Sequence, residues 1–344
     1  MNFSEPAMTE DLYFCYESVN KSCPKVIYPT MIRVLLHIFF MVIFVITLCG
    51  NLLVIISIAH FKQLQTPTNY LILSLAVTDF LMGGFIMPPH MVRIIESCWY
   101  FGDVFCKIHM STDGMLYIAS MLNLSLISVD RYYAVCQPLH YRTKITTCAT
   151  VIMILVSWSV SAFVGFALVF LELNILGSED FYYENVACVG GCVLFQAETA
   201  SSITCILTFY MPGFVMLVMY QKIFHVAQKQ ARSIHSIGCN NVQTENRTSS
   251  SNKERKATKT LAIVMGVFLS CCIPFFICNL INPYINYSIP PVLLETVFCI
   301  TYLNSTCNPI IYGFYYSWFR KAFKMIIFGK IFHADSSRAN LFTE

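Results

Sequence analysis

The chain has 344 residues, 56% of them hydrophobic and only 12% charged, with mean hydropathy +0.62. A soluble globule carries about 25% charged residues, so this composition excludes a water-soluble fold and indicates an integral membrane protein. The net charge of +3 says little by itself, and no nucleic-acid partner is expected.

Residues 1–32 read as a tail outside the membrane, with Asn2-Phe3-Ser4 and Asn20-Lys21-Ser22 as glycosylation acceptors. The same pattern at Asn123, Asn246 and Asn304 falls in spans or in a basic inner loop, where it reads as accidental. The start lacks the basic and small-residue features of a cleavable signal, so the first span is expected to insert the chain.

Seven apolar stretches are long enough to cross a bilayer, at about 20 residues each. They lie near 33–59, 69–95, 104–134, 148–171, 200–225, 257–281 and 291–315. Seventeen of the 22 Lys and Arg lie in 60–68, 131–146, 221–260 and 317–344, and 12 of the 19 acids lie in the opposite set of segments. The positive-inside rule then puts the basic segments in the cytoplasm and the N-terminus outside. Cys15, Cys23, Cys98, Cys106, Cys188 and Cys192 fall in or beside outer segments, where oxidation can occur. The remaining cysteines read mostly as small apolar fillers. Residues 226–256 are rich in Ser, Asn and Lys and read as a mobile inner loop. Domain 33–315 shows no internal repeat, which weakens a transporter built from duplicated halves.

Polar residues inside spans are expensive, so each asks for a reason. The second span carries Asp79. Together with Ser120, Asn304 and Asn308 it forms a set of oxygen-bearing residues at similar depth. Oxygen ligands suit a hard cation such as sodium; a hydrated polar cluster answers equally well. The third span carries Asp113 and Asp130, seventeen residues apart, or about 25 Å along one helix. Arg131 can partner Asp130. Asp113 has no basic neighbour in sequence, and the economical reading is that it meets a cation foreign to the protein. Tyr117 and Ser120 share its helical face.

Thr204 and Thr208 share one face of the fifth span and are able to bond a ligand hydroxyl. Bonding to its own backbone is the fate expected of Thr208. Phe275, Phe276 and Tyr302 become a cage for an ammonium only with Asp113 opposite. Glu254, at the start of the sixth span, is placed to latch onto Arg131. Residues 316–344 begin with Trp318-Phe319-Arg320-Lys321-Ala322-Phe323-Lys324, an alternation that predicts an amphipathic helix lying in the inner membrane surface. No cysteine follows Cys307, so palmitate is not expected to anchor it. The expected fold is all-α: a seven-transmembrane helix bundle with a short amphipathic surface helix at its C-terminal end.

Motifs in all seven spans resemble those of the rhodopsin-like G-protein-coupled receptors. They are Gly50-Asn51, Leu75-Ala76-Val77-Thr78-Asp79, Asp130-Arg131-Tyr132, Trp158, Pro212 with Tyr220, Pro274, and Asn308-Pro309-Ile310-Ile311-Tyr312. The resemblance implies that Arg131, Tyr220 and Tyr312 rearrange to receive a heterotrimeric G protein. It assigns Asp79, Ser120, Asn304 and Asn308 to a sodium pocket, with sodium as an allosteric modulator and no other cofactor. Within that family, Asn304-Ser305, Tyr316-Ser317-Trp318-Phe319 and Glu96-Ser97-Cys98-Trp99-Tyr100-Phe101-Gly102 resemble the trace-amine-associated receptors. Asp335-Ser336-Ser337-Arg338 is most similar to the first-numbered subtype of that group. The family pattern implies a disulfide Cys106–Cys192, and the subfamily a second, Cys23–Cys188.

Two departures stand out. The sixth-span motif has Cys272 where the family has a tryptophan that floors the pocket, which implies a larger floor here. Residues 199–215 contain no acid, with Glu198 only at the mouth, which favours a monoamine over a diamine. The resemblance thus implies a plasma-membrane receptor, not an enzyme, for phenylethylamine-like or alkyl monoamines. Asp113 would take the ammonium and Tyr302 would bond the carboxylate. The organic body would lie among Tyr117, Phe195, Thr204, Cys272, Phe275, Phe276 and Phe298. Signalling through the stimulatory G protein to cyclic AMP, in an olfactory setting among others, completes the expectation. The alternative from another class is an amine or cation transporter.

Overall fold

A bilayer offers no water to backbone N–H and C=O groups, so long apolar stretches close their hydrogen bonds internally as helices. The computed structural model describes residues 13–236, 243–333 and 335–341, without the side chains of 230–259 and 261. Six of its helices are long and apolar enough to cross a membrane: Thr30–His60, Pro67–Glu96, Asp103–Cys136, Thr147–Phe170, Glu198–Lys229 and Ala262–Ile285. The seventh span, Pro291–Tyr315, has 25 residues but is less apolar. Thr301, Asn304, Ser305, Thr306 and Asn308 dilute it, and all of them are buried against other helices.

Two spans are interrupted by π-turns, Met82–Ile86 and Ile206–Tyr210. Each stands just before proline: Pro88 and Pro89 in the second span, Pro212 in the fifth. A proline ring clashes with the carbonyl four residues back. Those carbonyls belong to Gly84, Phe85 and Thr208, all inside the π-turns, where the widened ladder makes room.

The stretch 226–256 departs from expectation. The fifth span continues as helix to Ser236, and the sixth begins at Gln243. Lys, Gln, Ala and Arg are good helix formers, so an established apolar helix propagates into water without a new nucleus.

The third span is the hub of the bundle and meets the second, fourth, fifth and sixth. At its crossing with the fourth span, Gly165 lies directly against the third-span backbone at Ser111 and Met115. Trp158 Nε1 donates to Ser74 Oγ at 3.0 Å, tying the fourth span to the second. Asn51 Nδ2 donates to the carbonyls of Thr47 and Ser305 at 2.9 and 3.0 Å, joining the first span to the seventh.

Three disulfides gather at one end: Cys15–Cys98, Cys23–Cys188 and Cys106–Cys192. The implied pairs are present. The third arises because a hairpin, Tyr13–Phe14 against Pro24–Lys25, carries Cys15 to the end of the second span. Gly190 takes φ +88° beside that hairpin, and a Cβ there would meet Cys15 Cβ at 2.8 Å.

At the opposite end the amphipathic helix Ser317–Ile327 buries Trp318, Phe319 and Ala322. The chain then folds back across the turn between the first and second spans. Ser336 Oγ bonds a His60 ring nitrogen at 3.0 Å, and Leu341 N donates to Gln63 Oε1 at 3.2 Å. Leu341 is buried in the same cluster as Phe61 and Leu64. Leu341→Asp is expected to detach this segment, because an unpaired charge at a buried apolar site is costly. Limited proteolysis should then cut after residue 330 at least several-fold faster than in the unaltered chain, with the bundle itself intact.

Candidate functional site

The site grows from the helical face that begins at Asp113. Seven residues separate it from the Cys106 disulfide, so it sits about 10 Å into the bundle from that end. Asp113 borders a cavity of about 100 Å³ lined by spans two to seven and the loop after the fourth.

The walls are aromatic and built mainly by the sixth and seventh spans. Pro274 precedes Phe275 and Phe276, and Phe298 and Tyr302 are one turn apart. Phe275 and Phe298 have ring centroids 5.0 Å apart, and Tyr117 and Phe276 5.1 Å apart. The Tyr302 hydroxyl donates to Asp113 Oδ2 at 3.3 Å. No ion pair reaches Asp113 among the described residues; the Arg93 guanidinium is held by Glu295 at 2.7 Å. Asp113 is therefore a buried carboxylate with one neutral donor, inside a wall of π-faces that attract cations.

Asp113, Tyr117, Thr204, Phe275, Phe276, Phe298 and Tyr302 all line this cavity. Thr208 lines it too, with its hydroxyl donating to the Thr204 carbonyl at 2.7 Å, the backbone bond expected of it. Two expected residues are elsewhere. Phe195 packs its ring among Phe181, Tyr182 and Tyr287, while its neighbours Leu194 and Gln196 face the cavity.

Cys272 is fully buried in the core beneath the cavity rather than lining it. Phe268 and Phe276, one turn to either side, close the floor in its place. Phe209 stacks on Phe276 at 4.3 Å. The floor beside the cysteine is thus aromatic.

Sequence reading missed the polar wall opposite Asp113. Asn279 Nδ2 donates to Gln196 Oε1 at 2.6 Å, and both line the cavity. An asparagine one turn past Phe276 in an apolar run was the available signal.

Below the cavity, Asp79 accepts from Ser305 Oγ at 2.8 Å and from Asn308 Nδ2 at 2.7 Å. Ser120, Asn304 and Ser305 form the adjoining cavity wall. The side-chain oxygens of Asn304 and Asn308 are buried and unpartnered. A carboxylate with spare amide and hydroxyl oxygens is a donor set that fits a hard monovalent cation.

At the far end, Asp130 accepts from Arg131 Nε at 2.8 Å, Thr68 Oγ1 at 2.8 Å and Tyr141 OH at 2.9 Å. Burial, reinforced by the Asp130 carboxylate, raises the Tyr141 phenol above its ordinary pKa and keeps it a donor. Arg131 also donates to Thr68. Tyr132 lies under the Lys222 ammonium, 5.7 Å from its ring centroid. Tyr220 and Tyr312 pack in the core, and the Tyr312 hydroxyl is buried without a partner. The side chain of Glu254, the expected latch to Arg131, lies outside the described residues, as does Asn2. Asn20 is exposed in a turn.

Residues 50–312 match the 7 transmembrane receptor (rhodopsin family). This chain belongs to that family of membrane receptors, and within it to the trace-amine-associated receptors; it is not an enzyme. It is 52% identical to Trace amine-associated receptor 1 of Macaca mulatta over 334 residues, covering 96% of this chain and 98% of the relative. The receptor of the same name from Homo sapiens is 51% identical over the same shares. Trace amine-associated receptor 4 of Mus musculus is 47% identical over 99% of both chains.

Proposed function

We propose that this receptor recognises a small monoamine and signals through a heterotrimeric G protein of the stimulatory class, raising cyclic AMP. It would act in the plasma membrane with the disulfide-bearing end outside. The names of its relatives agree with an amine ligand. The observation that carries the reading is Asp113: a buried carboxylate, paired among the described residues only with the Tyr302 hydroxyl, at the edge of an aromatic-walled cavity. A ligand ammonium supplies the missing charge, through a charge-assisted bond stronger than a neutral one. Its aryl or alkyl body contacts Tyr117, Phe275, Phe276 and Phe298. A terminal hydroxyl reaches Thr204.

The test is a cyclic-AMP panel in cells expressing the chain. It pairs aryl and alkyl amines with alcohols of the same skeleton. Response to amines and silence to the alcohols is expected; equal response to both discards the ionic reading.

Sodium is proposed to modulate this site from Asp79, with Ser120, Asn304 and Asn308 as its further ligands. Asp79→Asn leaves the hydrogen bonds replaceable but removes the charge a cation needs. Exchanging choline for sodium in the buffer should shift amine affinity in the unaltered receptor several-fold and leave Asp79→Asn unmoved. A shift of the same size in Asp79→Asn would place the ion elsewhere.

A further inference from the structure

The pattern Asn-x-Ser/Thr, with x not proline, occurs once more, at Asn286-Tyr287-Ser288 in the turn between the sixth and seventh spans. We propose that Asn286 is an N-glycosylation site. The inference rests on the reading that the disulfide-bearing end faces outside.

Burial sorts the copies of this motif. Asn123 is 0% and Asn304 3% exposed, inside the bundle, and no transferase can reach them. Asn286 is exposed, and so is Ser288. The side chain of Asn286 makes no hydrogen bond among the described residues. Its amide is therefore free to react.

The turn holds it in this state. The sixth helix ends at Ile281, and a single 3-10 turn, Asn282–Ile285, follows. Asn286 then takes φ 55°, ψ 42°, and Tyr287 φ 55°. Asparagine tolerates this left-handed region better than most residues. Tyr287 turns inward: its ring lies 4.7 Å from Phe195, and its hydroxyl donates to the Gln196 carbonyl at 3.1 Å. Anchoring Tyr287 fixes the turn and leaves Asn286 on its outer side.

This turn lies at the same end as the three disulfides. Disulfides persist in the oxidising compartments through which N-glycosylated chains pass. The acceptor is thus on the correct side of the membrane for transfer. The Asn286 amide nitrogen attacks the anomeric carbon of a lipid-pyrophosphate-linked oligosaccharide. An N–C bond forms, the anomeric C–O bond breaks, the pyrophosphate leaves with its electron pair, and the amide loses one proton.

The experiment uses the full-length chain expressed in cultured animal cells and digested with peptide N-glycosidase. In an Asn2→Gln, Asn20→Gln background, digestion should still increase mobility by one glycan's worth. That shift should vanish with Asn286→Gln or Ser288→Ala and survive with Ser288→Thr, which keeps the acceptor pattern and controls for misfolding. A shift in the unaltered chain but none in the background overturns the proposal and leaves the outside orientation standing. No shift in either overturns both.

Discussion

Asp113→Ala should lower amine potency at least tenfold while the receptor still reaches the cell surface. Truncating one partner of a buried, hydrogen-bonded charge pair costs about 2–5 kcal/mol, which at 1.4 kcal/mol per decade is about 30-fold or more. Most of that loss is the ligand's ammonium left desolvated and unpaired. The protein itself loses little, because Asp113 holds no ion pair among the described residues and bonds only the Tyr302 hydroxyl. Tyr302→Phe removes a single neutral bond, worth about 0.5–1.5 kcal/mol, so its effect should be the smaller. Dose–response curves alongside surface labelling measure both. A normal response in Asp113→Ala would mean that the ammonium binds elsewhere.

Gly165→Leu should remove most of the receptor from the surface. A Cβ at this position would lie 2.7 Å from the Ser111 carbonyl oxygen and 2.8 Å from Met115 N, both backbone atoms of the third span. Side chains can rotate away from such a contact; helical backbone cannot. The third and fourth spans would have to part, at the wall where Gly165 itself borders the cavity. Overpacking a core commonly costs about 1–3 kcal/mol, and displacing two helices places this change at the upper end or beyond. Gly266→Ala is the matched control: nothing lies within 4 Å of its added Cβ. Flow cytometry and thermal unfolding in detergent should separate the two, and equal behaviour would mean that the helices yield at Gly165.

Much of the cavity lining was legible because helical periodicity is local. Asp113, Tyr117 and Ser120 fall on one face by spacing alone, and their span is long enough to bury them. Phe275 and Phe276 were accessible to the same reading. Loops lack that periodicity. Whether Phe195 or Gln196 turns inward depends on Tyr287, 91 residues away in sequence from Gln196. Cys272 is a related case: it is buried in the core, and the rings at the cavity beside it come from Phe268 and Phe276 on either side of it, with Phe209 of another span stacked on Phe276.

By itself, the amino-acid order determined a seven-span membrane bundle, the surface helix and the carboxylate that marks the cavity. Burying charge in a bilayer is costly enough to show in one dimension. The tertiary structure alone decided the third disulfide, the Gln196–Asn279 wall, the aromatic floor and the docking of Leu341. Each depends on which distant segments meet, and free energies of association between segments are carried by contacts that no local spacing encodes.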